Sequence, residues 1–274
     1  MRNLLFIAAV VLLASCSKDE PVPDTRHSYY KNSHFEAYND SAVTVVTYNI
    51  QLGFTMEQDP WNADHRGGSP AQIHAIAEIL RHVDPDFVLL QEVPINRSNV
   101  EIEHLIEALA DSMNMNFAYG GHGKNDVTWP HQGVWGNAIL SKYPIKEIEN
   151  IEVARENRWD CRSTLRAEIG LRPDLSINLY SLHHRTDGET GIENTLNFVR
   201  RSRLPLIFGG DFNRRYGDPD LAMLSDYQDI FGSYSPTIDR IYSGLHDSVL
   251  ARGFIFSSNY VSDHGAFYAR LRLR

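Results

Sequence analysis

The sequence predicts an α+β domain of stacked β-sheets with helices on the outside. Apolar, β-branched runs of strand length recur along the chain, and amphipathic helical stripes fall between some of them. No long linker, repeat or low-complexity segment interrupts this order after residue 43, so one domain over 43–274 is expected. With 274 residues, 42% of them hydrophobic, the chain can bury a sizeable core.

Residues 43–50 (VTVVTYNI) read as a buried strand. Ser69, Pro70 and Gln72 then form a capping box with proline at the first helical position, and Ile73, Ile76, Ala77 and Leu80 supply the apolar face. Phe87-Val88-Leu89-Leu90 is a second buried strand, running into Gln91-Glu92. A capping box from Ser98 to Glu101 predicts a second helix with Ile102, Leu105, Ile106 and Leu109 as its stripe. Strands are expected over 137–140, 165–169 and 176–182, then a helix over 189–201, then strands over 204–209, 238–243 and 254–256. The last segment, 266–273, alternates Phe267, Ala269, Leu271 and Leu273 with polar residues, the period of a half-buried strand.

The N-terminus reads as a targeting segment. Arg2 precedes an apolar run over 4–14, too short to span a bilayer and of signal-peptide length. The run ends in Leu13-Ala14-Ser15-Cys16, which resembles a bacterial lipobox. That resemblance implies a signal peptide over 1–16, a lipidated Cys16 and attachment to the cell envelope. Ser17-Lys18-Asp19-Glu20 resembles a surface-export signal, which points to the outer membrane. Residues 17–42, polar and carrying Pro21 and Pro23, read as a tether. With Cys16 lipidated, Cys161 has no intramolecular partner and reads as a buried thiol.

A net charge of −9 argues against a protein that grips long nucleic acid through a basic surface. It leaves room for chemistry in which a metal ion supplies positive charge locally. Arg200, Arg201, Arg203, Arg214 and Arg215 read as solvated faces.

Polar residues recur at the ends of apolar strands: Asn49, Glu92, His183, Asp211 with Asn213, and Asp263 with His264. A rigid scaffold presents reactive groups at such positions. Each alone is weak evidence; together, all carboxylate, amide or imidazole, they form a pattern. Seven segments run in order: Thr47-Tyr48-Asn49-Ile50, Leu90-Gln91-Glu92-Val93, Gly136-Asn137-Ala138-Ile139-Leu140-Ser141, Tyr180-Ser181-Leu182-His183, Gly210-Asp211-Phe212-Asn213, Ile238-Asp239-Arg240-Ile241 and Ser262-Asp263-His264. In these the chain resembles the endonuclease/exonuclease/phosphatase superfamily.

That resemblance implies a four-layered α/β sandwich, with two mostly antiparallel sheets face to face, helices outside and an active site at one edge. It implies Glu92 as the principal metal ligand, with Asn49 beside it and Asp263 approaching the ion. Hard oxygen donors suit Mg²⁺ or Mn²⁺. His264 matches the catalytic histidine, Asp239 its carboxylate partner, and Asp211 the group that orients or deprotonates water. Asn213 and His183 would donate hydrogen bonds to phosphate oxygens. Asn137, Arg162 and Gln91 are secondary candidates, Gln91 as a support for Glu92, and Trp61 with Arg66 reads as structural. The implied activity is metal-dependent hydrolysis of a phosphate ester by a monomer, with phosphodiesters ahead and nucleic acid, phospholipid and small esters all open as substrates.

The chain departs from the family pattern at Arg240, at the short 229–239 stretch and at Gly265-Ala266, which bears on substrate geometry. A two-metal calcineurin-like site is suggested by Gly210-Asp211 alone, without the further ligand spacings it needs. An inactive surface module that binds a phosphorylated ligand, glycan or lipid is the alternative from another class, yet no ligand or base position is replaced.

Overall fold

The computed structural model describes residues 28–38, 40–62, 64–122, 127–128, 131–132, 134–155, 161–187, 191–234, 237–246, 248–255 and 261–273. The expected signal peptide, Cys16 and the first part of the tether lie outside them. Among the described residues, no helix is long and apolar enough to cross a membrane.

The first half of the chain contains β1 (Ser28–Lys31), β2 (Ala42–Asn49), α1 (Pro70–Arg81), β3 (Phe87–Ile95), α2 (Leu105–Met113) and β4 (Asn116–Gly121). Next come β5 (Val127–Thr128), β6 (His131–Gln132), β7 (Val134–Ser141), β8 (Ile145–Arg155), β9 (Cys161–Arg172) and β10 (Leu175–His183). The chain continues through α3 (Ile192–Val199), β11 (Leu206–Asp211), β12 (Gln228–Asp229), β13 (Asp239–Ser243), β14 (Val249–Ile255) and β15 (Ala266–Arg272).

Two sheets form. One has the order β1-β4-β7-β3-β2-β15-β14, the other β12-β13-β11-β10-β9-β8. Each is antiparallel except for one pair, β2 with β3 and β10 with β11. Val43, Val45, Phe87, Leu89, Phe267 and Ala269 of the first sheet meet Leu165, Ala167, Leu179, Ile207 and Ile241 of the second in a buried central layer. The opposite face of the first sheet, with Val46, Tyr48, Val88 and Leu90, packs under Ile73, Ile76 and Leu80 of α1 and Leu105 and Leu109 of α2. The outer face of the second sheet takes Leu196, Phe198 and Val199 of α3 against Tyr180, Phe208 and Tyr242. The result is helix, sheet, sheet, helix: a four-layered sandwich. Strands β2 and β3 are buried on both faces, which is why they read as apolar runs rather than alternations.

The α1 capping box is present as expected, Ser69 and Gln72 bonding reciprocally. The expected second capping box is not. Helix α2 opens at Leu105 after an uncapped His104. The backbone of 99–103 is drawn instead onto neighbouring loops: Gly67 N donates to Asn99 O, Glu101 N to Gly67 O, Ile102 N to Gly68 O and Asn96 N to Glu103 O. Helix α3 is shorter than 189–201, and residues 189–190 lie outside the described set. Residues 28–31, expected in the tether, pair with β4 as an edge strand, and Asn32 accepts from Ile145 N at 2.9 Å. The ordered body therefore begins by Ser28 rather than at residue 43.

Candidate active site

Strand register places three predicted residues in a row. His183 pairs with Asp211 across the parallel β10–β11 ladder, and Asp211 pairs with Asp239 across β11–β13. The close approach needs Gly210: a Cβ there would stand 1.9 Å from Leu182 O. On the facing sheet, Asn49 ends β2 opposite Gln91. The β3–β7 register then slips between Leu90 and Val93, and Glu92 inside this bulge has φ 54. A bulge re-aims a side chain at the cost of strained backbone, here about 1–3 kcal/mol. The loop before β15 docks on β2 through Ser262 Oγ donating to Asn49 O at 2.7 Å and Asp263 N donating to Gln51 Oε1 at 3.0 Å.

These elements converge on Oδ2 of Asp211. Asn49 Nδ2 donates to it at 3.2 Å and to Glu92 Oε1 at 3.1 Å, tying the two carboxylates together. His183 Nε2 and His264 Nε2 face the same oxygen at 3.6 and 3.8 Å. The other nitrogen of His264, Nδ1, lies 2.8 Å from Asp239 Oδ2. Asn213 (φ 51) donates its backbone N–H to Asp211 Oδ1 at 2.8 Å and its side-chain amide to His184 O at 2.8 Å. Asp263 stands at the rim, half exposed, 4.0 Å from His264 Nε2. All eight predicted residues thus meet in one place.

Electrostatics separates their roles. Burial alone pulls the His264 ring toward neutrality, but Asp239, then Asp211 and Asp263, outweigh it and raise the ring to about 10. His264 is therefore an imidazolium at neutral pH. Burial, and then the charge of Asp239, pushes the Asp211 carboxyl well above the ordinary carboxylate range. Burial raises Glu92 as well, against the pull of its bond from Asn49. His183 is held neutral by burial and by Arg162 nearby.

Three buried carboxyl groups, with Asp263 at the rim, gather around one imidazolium, and burial resists the charge on Asp211 and Glu92; a cation relieves such a setting. The donor chemistry is hard oxygen, and it fits Mg²⁺ or Mn²⁺. Among the described residues, the tightest group of potential ligand atoms is Asp211, Asp239 and His264, all within 4.8 Å. That group differs from the predicted set of Asn49, Glu92 and Asp263. The Asn49 oxygen is engaged by Gln51 N–H at 3.0 Å, so its nitrogen faces the carboxylates. In this arrangement Asn49 is a donor that ties ligands together, and Glu92 offers the oxygens.

The secondary candidates divide. Gln91 donates to Ser181 Oγ at 3.1 Å and to Leu89 O, joining the two sheets; these bonds bypass Glu92, so they do not orient that residue as expected. Asn137 likewise crosses between sheets, donating to Ser163 O at 2.7 Å. Arg162 lies over the Trp135 ring at 4.9 Å, and its charge reaches Glu92 and His183. Of the arginines read as solvated, Arg200, Arg201 and Arg214 pair with Asp226, Glu149 and Asp220. Arg240 is fully buried and held by Asp229 at 2.9 Å.

Sequence reasoning missed one group beside the site. The Trp135 ring packs edge-on against His183 at 5.6 Å, His122 at 4.8 Å and Trp61 at 6.4 Å. Trp61 is 46% exposed, and the guanidinium stacked on it at 4.7 Å belongs to Arg97, not Arg66. The signal available was the position of Trp135 one residue before Gly136-Asn137.

Comparison with known proteins agrees with the fold. Residues 46–264 match the Endonuclease/Exonuclease/phosphatase family. Over 117 residues the chain is 35% identical to the uncharacterized protein YbhP of Escherichia coli strain K12, a match that covers 40% of each chain. The fold matches the endonuclease/exonuclease/phosphatase structure from Beutenbergia cavernae DSM 12333 with a TM-score of 0.66 at 19% identity, covering 85% of this chain and 72% of that one. It also matches ANGEL2, a 2′,3′-cyclic phosphatase, with a TM-score of 0.64 at 14% identity, covering 90% of this chain and 98% of that one. The chain belongs to the endonuclease/exonuclease/phosphatase family, whose members are hydrolases of phosphoesters and generally depend on a divalent metal.

Proposed function

We propose that this protein is a Mg²⁺-dependent phosphodiesterase, and the observation that carries the reading is the meeting of Asn49, His183 and His264 at one oxygen of Asp211. Glu92 and Asp263 would hold the ion, with Asn49 bracing Glu92. When bound, a divalent cation supplies positive charge to a phosphoryl oxygen and lowers the cost of the departing oxyanion.

The chain's own groups do the rest. Asp211, buried and raised toward neutrality, is a base able to take a proton from an attacking water. The Nε2–H of the His264 imidazolium meets negative charge developing on phosphate, and Asp239, accepting from Nδ1, holds the ring's orientation and charge from behind. His183, neutral, and the second amide hydrogen of Asn213 are donors for the remaining oxygens. Phosphoryl transfer needs positioning and charge stabilisation above all, and this cluster is built for both.

A diester is favoured because a second negative charge on a monoester would sit against an already acidic site. The test is turnover of bis-p-nitrophenyl phosphate beside p-nitrophenyl phosphate, with Mg²⁺ and with chelator. Metal-dependent turnover favouring the diester is the expected result; faster monoester turnover overturns the diesterase reading. The lipobox-like Leu13-Ala14-Ser15-Cys16 supports an envelope-anchored enzyme acting on phosphate compounds outside the cytoplasm.

A further inference from the structure

The aromatic group beside the site has a shape the hydrolytic chemistry does not use. From His183, Trp135 is 5.6 Å away, and Trp61 is a further 6.4 Å from Trp135. Laid end to end, these separations put the Trp61 ring no more than about 12 Å from His183. Trp135 is buried, whereas Trp61 leaves nearly half its surface open.

An exposed tryptophan on a loose loop would mean little. This one is held from behind. Arg97, 2% exposed, stacks on it at 4.7 Å, and both Arg97 Nη2 and Asn99 Nδ2 donate to the carbonyl of Pro60 next door, at 3.1 and 3.0 Å. The backbone N–H of Trp61 donates to Asp59 Oδ1 at 2.9 Å. Arg97 thus braces the ring, and Arg97 with Asn99 braces the backbone beside it, no more than about 12 Å from His183.

Resting on the phosphodiesterase reading, we propose that Trp61 is a stacking platform for a nucleobase, so that the preferred substrates are nucleoside phosphodiesters. A flat π-face is offered by every base, and stacking on an aromatic side chain tolerates sequence. The surroundings argue against the other phosphate compounds. A polyphosphorylated headgroup calls for several open cations, but beside this group Arg97 is buried against Trp61 and Arg162 is stacked on Trp135, and Arg200, Arg201, Arg214 and Arg240 elsewhere are committed to carboxylates. A lipid calls for a continuous apolar patch; among the described residues, Met56 is the one other large exposed apolar residue on the Trp61 loop, and the rest are scattered along the chain. The net charge of −9 suits a short, single-stranded or dinucleotide substrate over duplex.

The test uses a matched pair: a dithymidine phosphodiester, and the same compound with an abasic residue in place of one base. In Mg²⁺ the parent should favour the base-bearing member, for either position of the abasic residue in turn, by about 5- to 150-fold in kcat/KM. Trp61→Ala should lose most of that preference, with its larger fall on the base-bearing substrate, and Trp61→Phe should restore most of it. Equal falls on both members, or no preference in the parent, overturn the platform. Binding is read separately, by quenching of tryptophan fluorescence with adenosine monophosphate against ribose 5-phosphate, in Mg²⁺ and in chelator. Quenching by the nucleotide alone, lost in Trp61→Phe, supports the platform even if no diester is turned over, an outcome that would sink the phosphodiesterase reading instead. Turnover of diesters without such quenching or preference leaves the enzyme standing and removes the platform.

Discussion

His264 Nδ1 lies 2.8 Å from Asp239 Oδ2, and the ring's other nitrogen faces Asp211 at 3.8 Å. The imidazole is thus held from behind by one carboxylate and presented to another. Asp239 is the main opponent of burial, which on its own drives the ring neutral. A proton kept on His264 is needed for charge stabilisation, so activity should be lost as pH rises toward about 10. Asp239→Asn should move that alkaline limb down by at least one unit. A pH–rate profile of kcat/KM for the two proteins checks this; an unmoved limb contradicts it.

Glu92 and His264 should separate metal binding from chemistry. Glu92→Gln should raise the Mg²⁺ concentration for half-maximal rate at least tenfold, because the Glu92 carboxylate keeps charge and acceptor capacity beyond the one bond from Asn49. His264→Ala should cut turnover by about 10²–10³-fold with that requirement little changed. Mg²⁺ titrations of initial rate read both.

Gly210→Ala tests how the row of residues is built. A methyl group there would stand 1.9 Å from Leu182 O, a backbone atom that cannot swing away. Thermal melting should show a loss of about 3 kcal/mol, and activity should fall even where the protein folds. A wild-type melting temperature would mean that β10 and β11 approach less closely than described.

Acid should destabilise the fold through its neutral histidines. Burial, then Arg214 and Arg162, lowers His184 to about 3, and burial lowers His122 and His183 too. Below the unfolded value near 6.5 the unfolded chain takes up protons that the folded chain refuses. Stability therefore falls as pH drops from about 6.5 toward 3, by up to about 1.4 kcal/mol per pH unit for each such ring. Melting temperatures between pH 7 and pH 4.5 measure the slope, and His184→Gln should flatten it.

Membrane attachment is tested at Cys16. Expressed in a bacterium that processes lipoproteins, the parent should take up labelled palmitate and sediment with membranes. Cys16→Ala should do neither; equal labelling of both would dismiss the lipobox reading.

Much of this arrangement was legible in the sequence because the chemistry sits at strand ends, where an apolar run stops on a polar residue. Asn49, His183 and Asp211 end their strands in that way, while Glu92 follows the apolar run of β3 at the bulge inside that strand. Strand β8 was not legible, because an edge strand with three glutamates spread among its apolar residues lacks the apolar run that marks a central one. Strand β4 is short and ends in two glycines. The Ser98–Glu101 pattern misled because hydrogen bonds to Gly67 and Gly68 overrode a local helix signal. The contacts of Gln91 and Trp61 were beyond reach for a related reason: their partners, Ser181 and Arg97, are distant in sequence and fixed only by sheet packing and loop docking.

The most direct test of the central claim is hydrolysis of bis-p-nitrophenyl phosphate by the parent and by Asp211→Asn, each before and after chelation and Mg²⁺ restoration. The account predicts that chelator abolishes the parent's turnover, that Mg²⁺ restores it, and that Asp211→Asn stays at least 10²-fold slower throughout. Turnover that survives the chelator, or an Asp211→Asn protein as fast as the parent, would contradict it.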